Sequence, residues 1–73
     1  MTQSQQIGMI CKRHRRRMGY TQKDVAQQTG YSTVNISSFE TGRNNNMLIL
    51  LWYISHSLPV SELRGVYDNG AKL

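Results

Sequence analysis

The stretch GYTQKDVAQQTGYSTVNISSFETGR, Gly19 to Arg43, decides the fold. Thr21 with Asp24 three residues on makes a capping box, in which each side chain satisfies the other residue's backbone N–H, so a helix opens there. Val25, Ala26 and Thr29 form its inner face. Gly30 stops it, because glycine takes the left-handed backbone that a sharp corner needs without strain. Ser32 then caps a second helix at once. Its inner positions are Ile36 and Phe39, and Gly42 ends it. Thr33, Asn35, Ser37 and Ser38 are left for its outer side, which is small, polar and uncharged.

Further helices follow on both sides. Ile7, Cys11, His14 and Met18 recur at helical spacing, which predicts an amphipathic helix from about Ser4 to Met18, closed by Gly19. Beyond Gly42, Asn45 or Asn46 caps a fourth, apolar helix running to about Ser57. Pro59 breaks the chain, and Ser61 opens a last short helix through Leu63 to about Tyr67. The expected architecture is all-α, a five-helix domain over residues 1–68 with a flexible tail at 69–73. On the fourth helix Leu48, Leu51, Ile54 and, beyond it, Leu58 make one stripe facing the core. Ile49, Leu50 and Tyr53 then project from other sides and predict an interface.

Seventy-three residues bury little surface, and chains of this size often gain stability from disulfides, a metal or self-association. Cys11 is the only cysteine, and with two scattered histidines it offers no metal-ligand spacing. Self-association is what remains. The longest apolar run, Met47 to Ile54, is far too short to span a membrane, and MTQSQQ lacks the pattern of a signal peptide. A cytoplasmic protein of a bacterial cell or phage-infected host is expected, which suits the unpaired thiol. The formal charge is +5, and its location matters more than its size. Lys12, Arg13, Arg15, Arg16 and Arg17 crowd one segment, while Lys23, Arg43, Arg64 and Lys72 balance Asp24, Glu40, Glu62 and Asp68. Such a cluster predicts attraction to a polyanion, nucleic acid before membrane.

Two short helices across a glycine corner form a helix-turn-helix, in which the first helix braces the second in the major groove of double-stranded DNA. The segment from Gly19 to Arg43 closely resembles the lambda-repressor-like, Cro/Xre-type helix-turn-helix domain. The resemblance is ungapped and extends from residue 7 to residue 63. Ile7-Gly8 and Lys12 to Arg15 fit the family's first helix; Leu48, Leu51, Ile54, Leu58, Val60 and Leu63 fit its last two.

The resemblance implies roles position by position. Gln22 matches a glutamine that binds a DNA phosphate. Thr33, Val34 and Ser37 match positions facing bases, with Asn35 and Ser38 beside them. Thr41, Arg43, Asn44 and Asn45 fall where the next loop grips the phosphate chain. Arg15 and Glu40 match a pair in which an arginine of the first helix meets a glutamate ending the third, with the guanidinium also turned towards a phosphate. The sequence departs from the family at His14, usually leucine, at Asn46, often proline, and at Ile49, Leu50 and Tyr53, usually polar. The last departure predicts a partner for the fourth helix, through a dimerisation surface over about 46–67.

The residues contain no Ser/His/Asp or Cys/His set, phosphate loop or paired carboxylates, so no enzyme, cofactor or metal is expected. The function expected is a sequence-specific regulator, a Cro-like repressor of a phage or mobile element binding a pseudo-palindromic operator as a homodimer. A restriction-modification controller protein or an antitoxin fits the same features. An adaptor or antirepressor would instead use the apolar fourth helix on a host or phage protein. Cys11 reads as a small buried hydrophobe, Trp52 as core, and His14 and His56 as a helix-face and a surface residue.

Overall fold

A computed structural model describes the backbone as far as Ala71 and the side chains as far as Tyr67. Five helices follow one another: α1 (Gln3–Arg17), α2 (Gln22–Thr29), α3 (Thr33–Glu40), α4 (Met47–Ser55) and α5 (Val60–Ala71). Among the described residues there is no strand. α1 starts earlier than its apolar spacing suggests, because Thr2 and Gln5 form a capping box of their own. α5 starts directly after Pro59 and runs past the expected end at Tyr67 to Ala71. The tail expected at 69–73 falls on residues whose side chains, and at 72 and 73 whose backbone, lie outside the described residues.

Three of the helices end in the same way. After α1, Gly19 is left-handed (φ 78°) and Tyr20 N–H donates to the Arg15 carbonyl (3.1 Å). After α3, Gly42 is left-handed (φ 82°) and Arg43 N–H donates to the Ser38 carbonyl (2.8 Å). After α4 the left-handed residue is Ser57 (φ 72°), and Leu58 N–H donates to the Tyr53 carbonyl (3.1 Å). The first two are Schellman turns, completed by Gly19 N–H on the Arg16 carbonyl and Gly42 N–H on the Phe39 carbonyl, and the α4 turn shares their longer bond; all three satisfy carbonyls that the helix leaves open. The α4 turn is built without glycine, which is why the sequence places that helix end two residues late.

The core is Ile10, Cys11, Val25, Ala26, Ile36, Phe39, Ile49, Tyr53, Leu58 and Val66. α1 lies across the C-terminal end of α3 at very close range. A Cβ on Gly8 would overlap the backbone carbonyls of Phe39 and Glu40, and one on Gly42 would overlap the Gln5 backbone.

The register of α4 corrects the sequence expectation. Ile49 and Tyr53, expected on the outside as interface residues, are 0% exposed. Leu48 and Leu51, expected inside, are 61% and 49% exposed. Leu50 is half-buried and lines a groove with Ile7, Met47 and Tyr67. The reason is physical. MLILLWYIS is apolar all round, so its pattern carries no preferred face. The face is chosen by partners elsewhere: Phe39 lies parallel to the Tyr53 ring at 6.3 Å, and Glu40 receives the Tyr53 hydroxyl. Val60, fitted to the family's last two helices, is 62% exposed. Trp52 is half-buried, 4.0 Å from the stacked His56 ring and edge-on to Tyr53 at 5.0 Å. His14 is buried, and its Nε2–H donates to the His56 carbonyl (2.9 Å), tying α1 to the end of α4.

Candidate nucleic-acid interface

The helix-turn-helix is fixed by local bonds. Thr21 N–H donates to Asp24 Oδ2 (2.8 Å), and Asp24 N–H donates to Thr21 Oγ1 (3.1 Å). The bond from Thr21 N–H holds the Asp24 carboxyl below its ordinary pKa. Gly30 is left-handed (φ 80°), and its N–H donates to the Ala26 carbonyl (3.0 Å). Thr29 turns its hydroxyl back onto the Val25 carbonyl (2.8 Å). Three residues later Ser32 Oγ accepts from Asn35 N–H (3.1 Å) and opens α3.

Burial divides α3 cleanly. Ile36, Phe39 and Glu40 are inside; Thr33, Val34 and Asn35 are exposed, Val34 to 73%, and Ser37 and Ser38 are half-buried. Thr41 turns its hydroxyl onto the Ser37 and Ser38 carbonyls (3.1 and 3.2 Å), closing the C-terminus of α3. Asn44 is a clip: its Nδ2 donates to the Asn35 carbonyl (3.3 Å), and its Oδ1 accepts from Asn46 N–H (3.2 Å). Arg43 and Asn45 are exposed on the same loop.

Beneath this surface one carboxylate gathers four helices. Arg15 of α1 donates Nε to Glu40 Oε2 (2.7 Å) and Nη2 to Oε1 (3.2 Å). Gln22 of α2 donates Nε2 to Oε1 (2.9 Å), and Tyr53 of α4 donates its hydroxyl to Oε2 (3.4 Å). The hydrogen bonds to Glu40 raise the Arg15 pKa, and burial raises that of the Tyr53 hydroxyl. Glu40 thus ties the end of α3 to every helix around it except α5.

This arrangement corrects one expected role. Arg15 is 8% exposed, and its remaining Nη1 donates to the Tyr20 carbonyl (2.9 Å). Its guanidinium is the counter-ion of Glu40 and is not turned out to a phosphate. Gln22 was expected at a phosphate and is half-buried, with one amide N–H already on Glu40. The Gln22 and Tyr53 links to Glu40 were not foreseen. A signal was available for Tyr53: a phenol inside an otherwise apolar helix needs a buried acceptor.

The basic segment is also divided by the fold. Lys12, Arg13, Arg16 and Arg17 are exposed, and Arg17 meets Glu62 of α5 at 3.2 Å. Lys12 borders a shallow depression with Glu40 and Thr41, beside the C-terminal end of α3. The cluster therefore supplies one buried structural cation, one surface ion pair and three exposed charges, Lys12, Arg13 and Arg16.

No family model matches the chain, and no solved structure matches it. The chain is 37% identical over 57 residues to an uncharacterized HTH-type transcriptional regulator of Sinorhizobium fredii, covering 78% of this chain and 74% of that one. It is 29% identical over 66 residues to another uncharacterized HTH-type transcriptional regulator, of Methanothermobacter thermautotrophicus, covering 86% of this chain and 96% of that one. With two short helices set across a left-handed glycine and the first of these relatives matched over most of its length, the chain belongs to the helix-turn-helix type transcriptional regulators.

Proposed function

We propose that the chain is a Cro-like repressor of a phage or mobile element that binds a short pseudo-palindromic operator as a twofold dimer. The observation that carries this reading is the outer face of α3, small and uncharged, open to solvent at Thr33, Val34 and Asn35 and half-buried at Ser37 and Ser38, while both ends of the helix are tied down. Thr33, Val34 and Ser37, with Asn35 and Ser38 beside them, meet base edges in the major groove. Gln22, Thr41, Arg43, Asn44 and Asn45 lie around that face and contact phosphates, Gln22 and Asn44 through the amide N–H each still has free and Thr41 by turning its hydroxyl out from the Ser37 and Ser38 carbonyls. Lys12, Arg13 and Arg16 add a positive field. The regulators named above support the transcriptional role.

The dimer surface in this proposal is Met47, Leu48 and Leu51, which are 70%, 61% and 49% exposed, with Leu50 at its edge. From Asn44 to Ser61 there is no Asp, Glu, Lys or Arg, so this is where two copies of a +5 chain approach with least repulsion. Exposed apolar side chains on one helix mark an interface. An adaptor for another protein would use the same face. Light scattering separates the two: a dimer dissociated by Leu48→Asp and Leu51→Asp supports this reading, and a monomer at micromolar concentration supports the adaptor.

Footprinting on the DNA upstream of the chain's own gene tests the main proposal. A protected inverted repeat is expected, with half-sites about 10 base pairs apart. A dimer making about 6–10 phosphate contacts should lose about three to five decades of affinity between about 50 and 200 mM salt. Binding insensitive to salt would overturn the proposal.

A further inference from the structure

Side chains that choose between base pairs divide by chemistry. In the major groove arginine and lysine take the paired acceptors of guanine, aspartate and glutamate accept from the amino group of cytosine, and asparagine and glutamine span adenine. Apolar groups pack on the thymine methyl, and serine or threonine hydroxyls serve any base. α3 contains no arginine, lysine or aspartate. Its one acid, Glu40, is 6% exposed and is held by Arg15, Gln22 and Tyr53, so no free carboxylate is left there to select cytosine.

What α3 does present is of the opposite kind. Val34 is the one large hydrophobe exposed on α2, the turn or α3. It packs against nothing that the fold requires, and a β-branched side chain on a helix holds nearly a single rotamer, so its methyls sit ready-placed. It is the second residue of α3, in the turn that meets base edges in helix-turn-helix proteins. Beside it Asn35 is exposed. Its backbone groups are satisfied by Ser32 and Asn44, while no described residue bonds its side-chain amide. The two side chains here with a base preference of their own therefore favour the two members of one base pair.

We infer that α3 reads A·T pairs: Val34 packs on the C5 methyl of a thymine in each half-site, and no guanine or cytosine is specified at the centre of the α3 footprint. The inference rests on the DNA-reading role proposed above for α3. It is tested by selecting binding sites for the full chain from a pool of randomised duplexes. The winning site is then rebuilt with uracil in place of each thymine, which keeps the pairing and removes only the methyl group. A·T pairs should dominate the centre of each half-site. At one thymine per half-site the wild type should lose about fourfold on uracil substitution, the value of one buried methyl-sized group. Val34→Ala, at an exposed position and so folded like the wild type, should bind thymine and uracil sites alike. Selected half-sites centred on invariant G·C pairs would overturn the inference alone, as would a wild type indifferent to uracil. Failure to bind any duplex would overturn the repressor reading, and this inference with it.

Discussion

The helix-turn-helix and α4 are equally helical, yet they are encoded in different ways. From Thr21 to Gly42 every start and stop is a residue whose backbone preference decides the matter: the Thr21–Asp24 box, Gly30 at φ 80°, the Ser32 cap and Gly42 at φ 82°. α4 has one such signal, Asn46, whose Oδ1 accepts from Leu48 N–H. Its stop is a serine in glycine's conformation, and its nine residues carry no alternation between apolar and charged. Local signals settle where a helix lies along the chain. Which face it buries is settled by what other helices offer, here the ring of Phe39 and the carboxylate of Glu40.

The comparison can be broken most sharply at the carboxylate. Glu40→Ala leaves the Arg15 guanidinium buried without a counter-charge and removes the acceptor for Gln22 and Tyr53. A loss of about 3–5 kcal/mol is expected in denaturant unfolding, and an unchanged midpoint would mean that the four-helix junction contributes nothing. Next comes the register of α4. Ile49→Ala should cost about 2–5 kcal/mol, whereas Leu48→Ala, at protein concentrations too low for self-association, should stay within about 0.5 kcal/mol. The reverse order would restore the stripe expected from the sequence. A smaller effect tests the helix stops. Ser57→Gly should stabilise the chain by up to about 1 kcal/mol and Gly30→Ala should destabilise it by about the same amount, since both residues are left-handed and the extra Cβ on Gly30 would touch nothing.

The smallest effect is one of pH. Bonding to Thr21 N–H lowers the Asp24 pKa from its ordinary 3.8, so the folded state binds that proton less readily than the unfolded chain does. The advantage of wild type over Asp24→Asn in melting temperature should be complete above that ordinary value and shrink as pH falls through the lowered one. An advantage constant down to the acid limit would leave the carboxylate charge out of the cap.

These contrasts explain what could be read in advance. The capping residues and the glycines placed α2 and α3 to within a residue, and the small polar set on the outer face of α3 was visible from its spacing. Arg15 and Glu40 were paired through the family likeness, and they meet. The sequence could not tell that the pair is sealed beneath the surface, because the closeness of α1 to α3 depends on Gly8 lying against the Phe39 and Glu40 carbonyls. The same closeness takes Arg15 away from phosphate. Ile49 and Tyr53 were misplaced for the opposite reason: an apolar helix gives equal weight to every face until its neighbours are known.

Cys11 gives the molecule a clock of its own. It is the single thiol in the chain, it is 0% exposed, and burial, helped by the charges of Glu40 and Glu62, lifts its pKa to about 12. In the folded chain at neutral pH the sulfur is neither ionised nor reachable, so a thiol reagent must wait for the helices to part. The pace of labelling then counts openings of the core without any engineered residue, and a ligand that holds the helices together slows the count in proportion to how firmly it is bound.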